Sequence, residues 1–505
     1  MRLKDMVGGL PGGRILAGGD ADVRGVAYDS RNLAPGDLFI AWSGQRYDGH
    51  DFVPAALAAG AAAVAVERRS ALPAQLPPGR GALLVDDTRA AAGPLAAAFH
   101  GHPTAALTVA GITGTNGKTT TSWLLRGVLA ALGPVGLIGT VSAVVGGEAR
   151  PVRLTTPEAP DLQGLFAEMV RRGDRAAVME VSSIALARHR ADAVAFDIAV
   201  FTNLTPDHLS PGEHPSFAHY RESKRRLFEL VGRPVAGAPA KAGPRGAACN
   251  VDDPVAEEMA ASAAAAVPVL RYGLGPGSEV RAEDVDLARE GARFTIRHPG
   301  GAVRCGLRLS GRFNVYNALG AFAAGLLLGL SPDGIAAALG ELAGVPGRLE
   351  PVRAGQPFSV FVDYAHTPDG LENVLRAARE LTRGRVLAVF GCGGDRDRTK
   401  RPLMGAIGTR LADACWLTSD NPRSEPPEAI LHEIESGAAR TPGARYHLVV
   451  DRRQAIGEAL AEAGPGDVVV IAGKGHEVYQ IFADRTIHFD DREEAAAALR
   501  RLGYS

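Results

Sequence analysis

The sequence predicts an α/β protein of three domains built on parallel sheets, and three observations predict it. The chain has 505 residues, which at ~150 residues per domain allows about three domains. Short, continuous apolar runs alternate with helical patterns, the arrangement of strands buried on both faces of a parallel sheet. The spacing and composition of these runs change twice, dividing the chain into segments 1–103, 104–344 and 345–505.

In the first segment, GDLFIAW (36–42), AAVAVE (62–67) and ALLVDD (82–87) are strand candidates between Gly/Pro punctuation, with helices joining them. The second opens with ALTVAGI, a buried-strand signal, then a Gly/Thr loop and a helical stretch, SWLLRGVLAAL. AAVME (176–180) and FDIAVFTNL (196–204) continue the sheet, and YRESKRRLFEL (220–230) reads as a helix. After an Ala/Pro-rich patch near 236–270, residues 279–310 read as an antiparallel edge, and NALGAFAAGLLLGL (317–330) as a buried helix. In the third segment FSVFVDY (358–364), RVLAVFG (385–391), ACWLTSD (414–420) and DVVVIAG (467–473) each end in a loop rich in Gly, Asp, Asn or His. That is a Rossmann-like pattern, with ligands expected in the loops at the carboxyl ends of the strands.

Composition excludes several classes. Hydrophobic residues make up 46% and charged residues 22%, with 55 basic against 56 acidic side chains. There is no basic surplus for a nucleic-acid footprint. The four cysteines, Cys249, Cys305, Cys392 and Cys415, form no CxxC pair and imply neither a disulfide framework nor a zinc site. The amino terminus lacks the apolar stretch of a signal peptide, and no run of ~18 apolar residues is present. A cytoplasmic chain without membrane insertion is expected. Only six of the 55 basic residues are lysine: Lys4, Lys118, Lys224, Lys241, Lys400 and Lys474. Arginine cannot replace lysine where a compact or deprotonatable amine is needed, so the surviving lysines are candidates for chemistry. Chance survival is the simpler reading for Lys4 and Lys241.

The sharpest motif is GITGTNGKTT at 111–120. Between a strand and a helix, such a loop cradles phosphates with backbone N–H groups. Lys118 then reaches the outer phosphoryl oxygens and Thr119 is placed to ligate Mg²⁺. It departs by one residue from GxxxxGK[ST], since position 112 is Ile. Glu180, His208 and Lys224 follow downstream. A carboxylate and an imidazole at strand ends suit a Mg²⁺ site beside phosphates. Taken alone, Glu180 and His208 read as structural residues. Lys224, beside Arg225 and Arg226, reads alone as part of a solvated helix face.

In order along the chain stand DSR (29–31), GITGTNGKTT, TTP (155–157), MEVSS, FTNLTPDHL, a lysine before LF, GRFNVYN, GRLE, DYAHTPD, FGCGGDRDRTKRP, DNPR and GKGHE (473–477). This series resembles the Mur ligase family, in its MurE type that adds 2,6-diaminopimelate. The resemblance implies an ATP-dependent amide ligase in peptidoglycan precursor synthesis. It further implies an N-terminal domain for the UDP end of the substrate, a central P-loop-type ATPase domain and a C-terminal domain admitting the amino acid. Ser30, Gln45, Arg46 and Tyr47 would contact the uridine diphosphate. Thr155, Thr156, Ser182, Arg188 and Arg190 would hold the muramoyl-dipeptide. ATP would meet Gly114, Thr115, Asn116, Gly117, Lys118, Thr119, Thr120, Asn314, Arg348 and Asp363. Mg²⁺ would take Thr119, Glu180, His208 and Lys224, the last as a carbamate formed with CO₂. Diaminopimelate would be held by Arg396, Asp420, Asn421, Pro422, Arg423, Gly473 and Glu477.

The acceptor follows from chemistry. Diaminopimelate carries a distal carboxylate that lysine lacks, and an arginine fork binds a carboxylate bidentately. The resemblance implies that DNPR supplies this fork through Arg423, with Glu477 facing the distal ammonium. The expected reaction joins meso-2,6-diaminopimelate to UDP-MurNAc-L-Ala-D-Glu through an acyl phosphate, on a monomer whose domains close on their small-molecule substrates. The alternatives are the same chemistry with L-lysine or another amine, a related ligase of a side pathway, or a P-loop ATPase without ligation. The chain departs from the family at SPGEHPSFAHY (210–220), at Ile184 where a His is frequent, and at Arg188 where a Gln is common.

Overall fold

The computed structural model describes residues 1–44, 47–207, 213–288 and 290–505. These fall into two compact units, Met1–Ser278 with Gly320–Ser331, and Glu279–Leu319 with Pro332–Ser505.

The first unit holds two sheets. In the amino-terminal sheet the order is Arg14–Ala17, Gly81–Leu84, Ala63–Val66, Asp37–Ile40, Gly25–Ala27. Its first pair is antiparallel and the rest parallel. The central sheet runs Val269–Gly273, Gly246–Asn250, Ile198–Phe201, Thr108–Thr113, Ala176–Glu180, Val135–Ile138, all parallel. A hairpin, Ala143–Val145 and Glu148–Arg150, adds two antiparallel strands at one edge. Thr108–Thr113 lies mid-sheet, so the glycine loop leaves it flanked by the ends of Ala176–Glu180 and Ile198–Phe201. That is where a parallel sheet places a ligand.

The helix Phe217–Leu230 buries Tyr220, Ser223, Lys224, Leu227 and Phe228. The spacing is that of one stripe of an α-helix. Lys224 therefore sits on the buried face, which corrects its reading as a solvated residue. Its neighbours take the charged face, Arg225 pairing with Glu222 and Glu229, and Arg226 with Asp192. The Ala/Pro-rich patch contains the fully buried strand Gly246–Asn250. A Cβ on Gly246 would lie 2.6 Å from Leu327 Cδ2, so small residues serve close packing there rather than marking a loop.

In the second unit, Val280–Ala288, Gly291–His298 and Gly301–Leu307 form the expected antiparallel meander. A six-stranded sheet follows in the order Glu350–Pro351, Ser359–Asp363, Val468–Ala472, Val386–Phe390, Ala414–Thr418, Tyr446–Val449. All but the first pairing are parallel. The four predicted strands are its centre, and apolar residues cover both faces, with Leu371, Leu375 and Ile434 on one side and Ile456, Leu460 and Leu499 on the other. All four cysteines are free and buried. Burial pushes each thiol up to about 12, which suits packing and not reactivity. Among the described residues no helix is long and apolar enough to cross a membrane.

Candidate active site

The glycine loop joins Thr108–Thr113 to the helix Lys118–Leu129. Gly114 has φ +153°, and a Cβ there would meet Thr202 Oγ1 at 1.8 Å. Gly117, at φ 82°, caps the helix in the left-handed region. Only glycine fits either position without strain. The loop is fixed from the strand beside it. Asn116 N donates to Asn203 Oδ1 (2.9 Å), Thr202 Oγ1 to Asn116 O (2.6 Å) and Thr205 N to Thr115 Oγ1 (3.0 Å). Thr115 Oγ1 also meets Tyr220 OH at 3.0 Å. The first turn of a twelve-residue helix thus opens onto a preshaped loop, an anion site by its N–H groups and dipole.

Two ammonium groups bind this loop. Lys118 Nζ donates to Gly114 O and Thr115 O, both at 2.8 Å. Lys224 Nζ donates to the same Gly114 O at 2.7 Å and lies 4.5 Å above the Tyr220 ring. Burial, then the charge of Lys118, holds the Lys224 amine far below the usual lysine range.

Glu180 ends the neighbouring strand and is fully buried. Its Oε2 accepts from Thr119 Oγ1 and Thr140 Oγ1, both at 3.0 Å, and its Oε1 from Thr140 N at 2.8 Å. A Cβ on Gly139 would lie 2.3 Å from Oε1, so glycine opens the space the carboxylate fills. Among the described residues no cationic side chain pairs with it, yet a buried carboxylate is costly without a cation. Glu180 and Thr119 together are an oxygen donor set of the kind Mg²⁺ takes, with few protein ligands and several waters. The residues present fit that ion. Among the described residues no three His, Cys, Asp or Glu side chains form a metal cage. His208 lies outside the described residues, as do Gln45 and Arg46.

The residues assigned to the muramoyl-dipeptide gather around Glu180. Thr155 Oγ1 contacts Thr140 Oγ1 at 3.1 Å, and Thr156 Oγ1 donates to Glu180 O at 2.9 Å and accepts from Ser182 N at 3.0 Å. Arg190 Nη1 donates to Thr156 O at 3.0 Å and Nη2 to Glu158 at 2.6 Å. Arg188 closes the short helix Ser183–Ala187. In the amino-terminal sheet region Ser30 is half-buried and Tyr47 is 72% exposed.

In the second unit Asp363 ends its strand buried, accepting from Leu349 N (2.7 Å) and Ala365 N (2.8 Å). Burial raises its carboxyl, and the Arg348 charge counters this. The Arg348 guanidinium stacks 4.9 Å over Tyr364. Asn314 instead bonds along the start of its own helix, to Ser310 O at 2.8 Å and from Asn317 Nδ2 at 3.0 Å.

Three adjacent strands deliver the remaining residues. Asp420, Asn421, Pro422 and Arg423 follow Ala414–Thr418, Gly473 and Glu477 follow Val468–Ala472, and Arg396 follows Val386–Phe390. Arg423 stands at φ 53°, its Nη1 donating to Gly394 O at 2.8 Å. Asn421 Nδ2 donates to Glu477 Oε2 at 3.0 Å. Gly473, at φ +122°, is where a Cβ would meet Asp420 Oδ2 at 2.6 Å. Arg396 is exposed beside them. Sequence reasoning missed Thr140, Asn203 and Tyr220, which act through tertiary contacts that carry no local signal. It also left Lys474, the lysine of the GKGHE motif, without a role.

Three family models match in register: "Mur ligase family, catalytic domain" over 22–100, "Mur ligase middle domain" over 112–325 and "Mur ligase, glutamate ligase domain" over 347–475. A relative from Geobacter metallireducens is 46% identical over 525 aligned residues, covering 99% of each chain, and one from Geobacillus kaustophilus is 44% identical over 504, covering 100% of each. Both are named UDP-N-acetylmuramoyl-L-alanyl-D-glutamate–2,6-diaminopimelate ligase. The chain belongs to the Mur ligase family. It is an enzyme of the ATP-dependent ligase class with the Mur ligases' three-domain α/β architecture. A solved Mur ligase bearing the same name as those relatives superposes with TM-score 0.66 at 33% identity, covering 96% of both chains. A Thermotoga maritima Mur ligase, MurF in complex with ADP, shares the fold at TM-score 0.63 and 19% identity, over 95% of this chain and 98% of that one.

Proposed function

We propose that this Mur ligase joins the amine of meso-2,6-diaminopimelate to the D-glutamyl γ-carboxylate of UDP-MurNAc-L-Ala-D-Glu at the expense of ATP. The observation that carries the acceptor is the pairing at Asn421. One strand-end loop presents the Arg423 guanidinium, which donates to the Asn421 carbonyl oxygen, and the Glu477 carboxylate accepts from Asn421 Nδ2. A fixed cation and anion match an amino acid's distal carboxylate and ammonium, and lysine offers only the second. Full-length relatives carrying the diaminopimelate name support the same reading.

The chemistry follows from what a carboxylate lacks. Oxide is a poor leaving group, so the γ-carboxylate oxygen first attacks the γ-phosphorus of ATP, and the bond to ADP breaks. The substrate amine, neutral once its ammonium proton has gone to solvent, then attacks the acyl carbon, the nitrogen gives up a second proton, and phosphate departs with its oxygen. The glycine loop and first helical turn bind the phosphates, and Lys118 exchanges its loop carbonyls for phosphoryl oxygens as charge builds there. Thr119 and Glu180 are the described residues that would hold Mg²⁺, which neutralises phosphoryl charge when bound. His208 joins them in this reading. Lys224 suits carbamylation, since a buried amine with a depressed pKa is the nucleophile that CO₂ needs and arginine offers none. Thr155, Thr156, Ser182, Arg188 and Arg190 would orient the dipeptide. Ser30 and the Gln45–Tyr47 stretch would hold the UDP end, and Asn314, Arg348 and Asp363 the nucleotide. Domain limits of 1–103, 104–344 and 345–505, and a cytoplasmic monomer, go with this reading.

The test is phosphate release from ATP with UDP-MurNAc-L-Ala-D-Glu, comparing meso-diaminopimelate and L-lysine. Release with diaminopimelate and not lysine is expected. Preference for lysine would overturn the acceptor, and release with neither substrate present would make the protein a bare ATPase.

A further inference from the structure

Lys474 is one of six lysines in a chain that otherwise uses arginine, and it is fully buried. It follows the strand Val468–Ala472 directly, between Gly473 and Gly475, in the same loop as Glu477. Its Nζ donates to Asn421 Oδ1 at 3.2 Å and lies 3.7 Å from Glu477 Oε2.

This places Lys474 behind the acceptor pocket with two jobs. The first is geometric. Asn421 Oδ1 receives both Lys474 Nζ and Ile481 N (3.0 Å), which leaves the NH₂ turned towards Glu477 Oε2 at 3.0 Å. A flipped amide would press its NH₂ against an ammonium and a backbone N–H, so Lys474 locks the orientation that aims Glu477. The second is electrostatic. Glu477 is packed near the Asp420 carboxylate, and burial, then that second negative charge, pushes its carboxyl up, while Lys474, the Asn421 hydrogen bond and Arg423 pull it back. Of the other nearby cations, Arg452 is held by Asp491 in a fully buried two-pronged pair, both bonds at 2.7 Å, and Arg423 lies on the carbonyls of Gly394 and Asn421. Tyr479 brings no cation, and its ring lies 5.7 Å from Nζ. Lys474 is thus the resident cation between two carboxylates, acting on Asp420 and, 3.7 Å from its Oε2, on Glu477. A slender ammonium fits this sealed position where a planar fork with five donors would not.

We propose that Lys474 is the positioning residue of the acceptor site, holding Asn421 and Glu477 so that Glu477 meets the acceptor's distal ammonium as a carboxylate. This rests on the acceptor reading given above.

The experiment is steady-state kinetics of full-length Lys474→Met, with meso-diaminopimelate varied between pH 6 and 9. The expected result at pH 7 is a KM for diaminopimelate raised tenfold or more, with kcat and the KM values for ATP and UDP-MurNAc-L-Ala-D-Glu within twofold of wild type. The sign of the pH effect is fixed. Without its counter-ion Glu477 ionises at higher pH, so the acidic limb of kcat/KM for diaminopimelate moves up and the defect shrinks as pH rises. Glu477→Gln removes the group Lys474 acts through, so Lys474→Met/Glu477→Gln should match Glu477→Gln in that KM within twofold. The double variant also keeps the test open if the single one does not fold, because it removes the Glu477 charge that Lys474→Met alone leaves without its partner. An unmoved limb, equal losses for all three substrates, tighter diaminopimelate binding, or a further tenfold loss in the double variant would overturn the proposal. Wild-type protein that releases no phosphate with diaminopimelate would instead sink the acceptor reading itself.

Discussion

Lys224 and Lys118 share the carbonyl oxygen of Gly114, so two like charges converge on one acceptor inside the protein. Such an arrangement favours losing one charge, and Lys224, buried on its helix stripe, is the group whose proton is held weakly. Replacing it by arginine keeps the cation permanently and removes the amine. We expect Lys224→Arg to lose about 100-fold or more in turnover, the scale of removing one preplaced charge stabiliser. Wild-type activity should fall in CO₂-depleted buffer and return with bicarbonate, while the variant responds to neither. A variant stimulated by bicarbonate would contradict the role given to this amine.

Elements show why some features were legible and others were not. Thr108–Thr113, Ala176–Glu180 and Val468–Ala472 are buried on both faces, so each is a continuous apolar run that the sequence displays openly. Gly246–Asn250 is equally buried but made of small residues, and pairing with Ile198–Phe201 and Val269–Gly273 holds it as a strand. The site loops could be read because glycines, lysines and DNPR carry chemistry at fixed spacing. Thr140, Asn203 and Tyr220 could not, because their partners lie far along the chain. The same holds for the tie beneath the DNPR loop. Arg401, fully buried, bonds Glu425 at 2.8 Å and Glu433 at 2.9 Å. The hydrogen bond from Arg401 lowers the Glu425 carboxyl to about 2. A depressed folded-state pKa gives stability that is full above the unfolded value, roughly 4.3, and is lost as pH falls towards 2. Melting temperature should therefore drop between pH 5 and pH 2, and Glu425→Gln should flatten that slope while lowering stability at pH 7. An unchanged slope in the variant would show that the tie contributes nothing to acid sensitivity.

At the scale of the whole molecule, the proposed reaction runs through an acyl phosphate on the D-glutamyl γ-carboxylate. The order of bond changes leaves an isotopic trace. With ¹⁸O in the D-glutamyl γ-carboxylate, one labelled oxygen should leave in the phosphate and one should stay in the new amide. Mass spectrometry of the released phosphate reads this directly, and unlabelled phosphate would exclude attack by the carboxylate on ATP.

The Asn421 amide, pinned on one side by an ammonium and a backbone N–H and turned on the other to a carboxylate, has an evolutionary consequence. Its neighbours are mutually dependent, so the loss from changing one depends on whether the others have already changed. A lineage drifting towards a different acceptor would have to cross a valley in which Glu477, Asn421 or Lys474 is altered alone and the old substrate is lost before a new one is gained. Under the proposed acceptor reading, this mutual dependence protects acceptor choice against single substitutions.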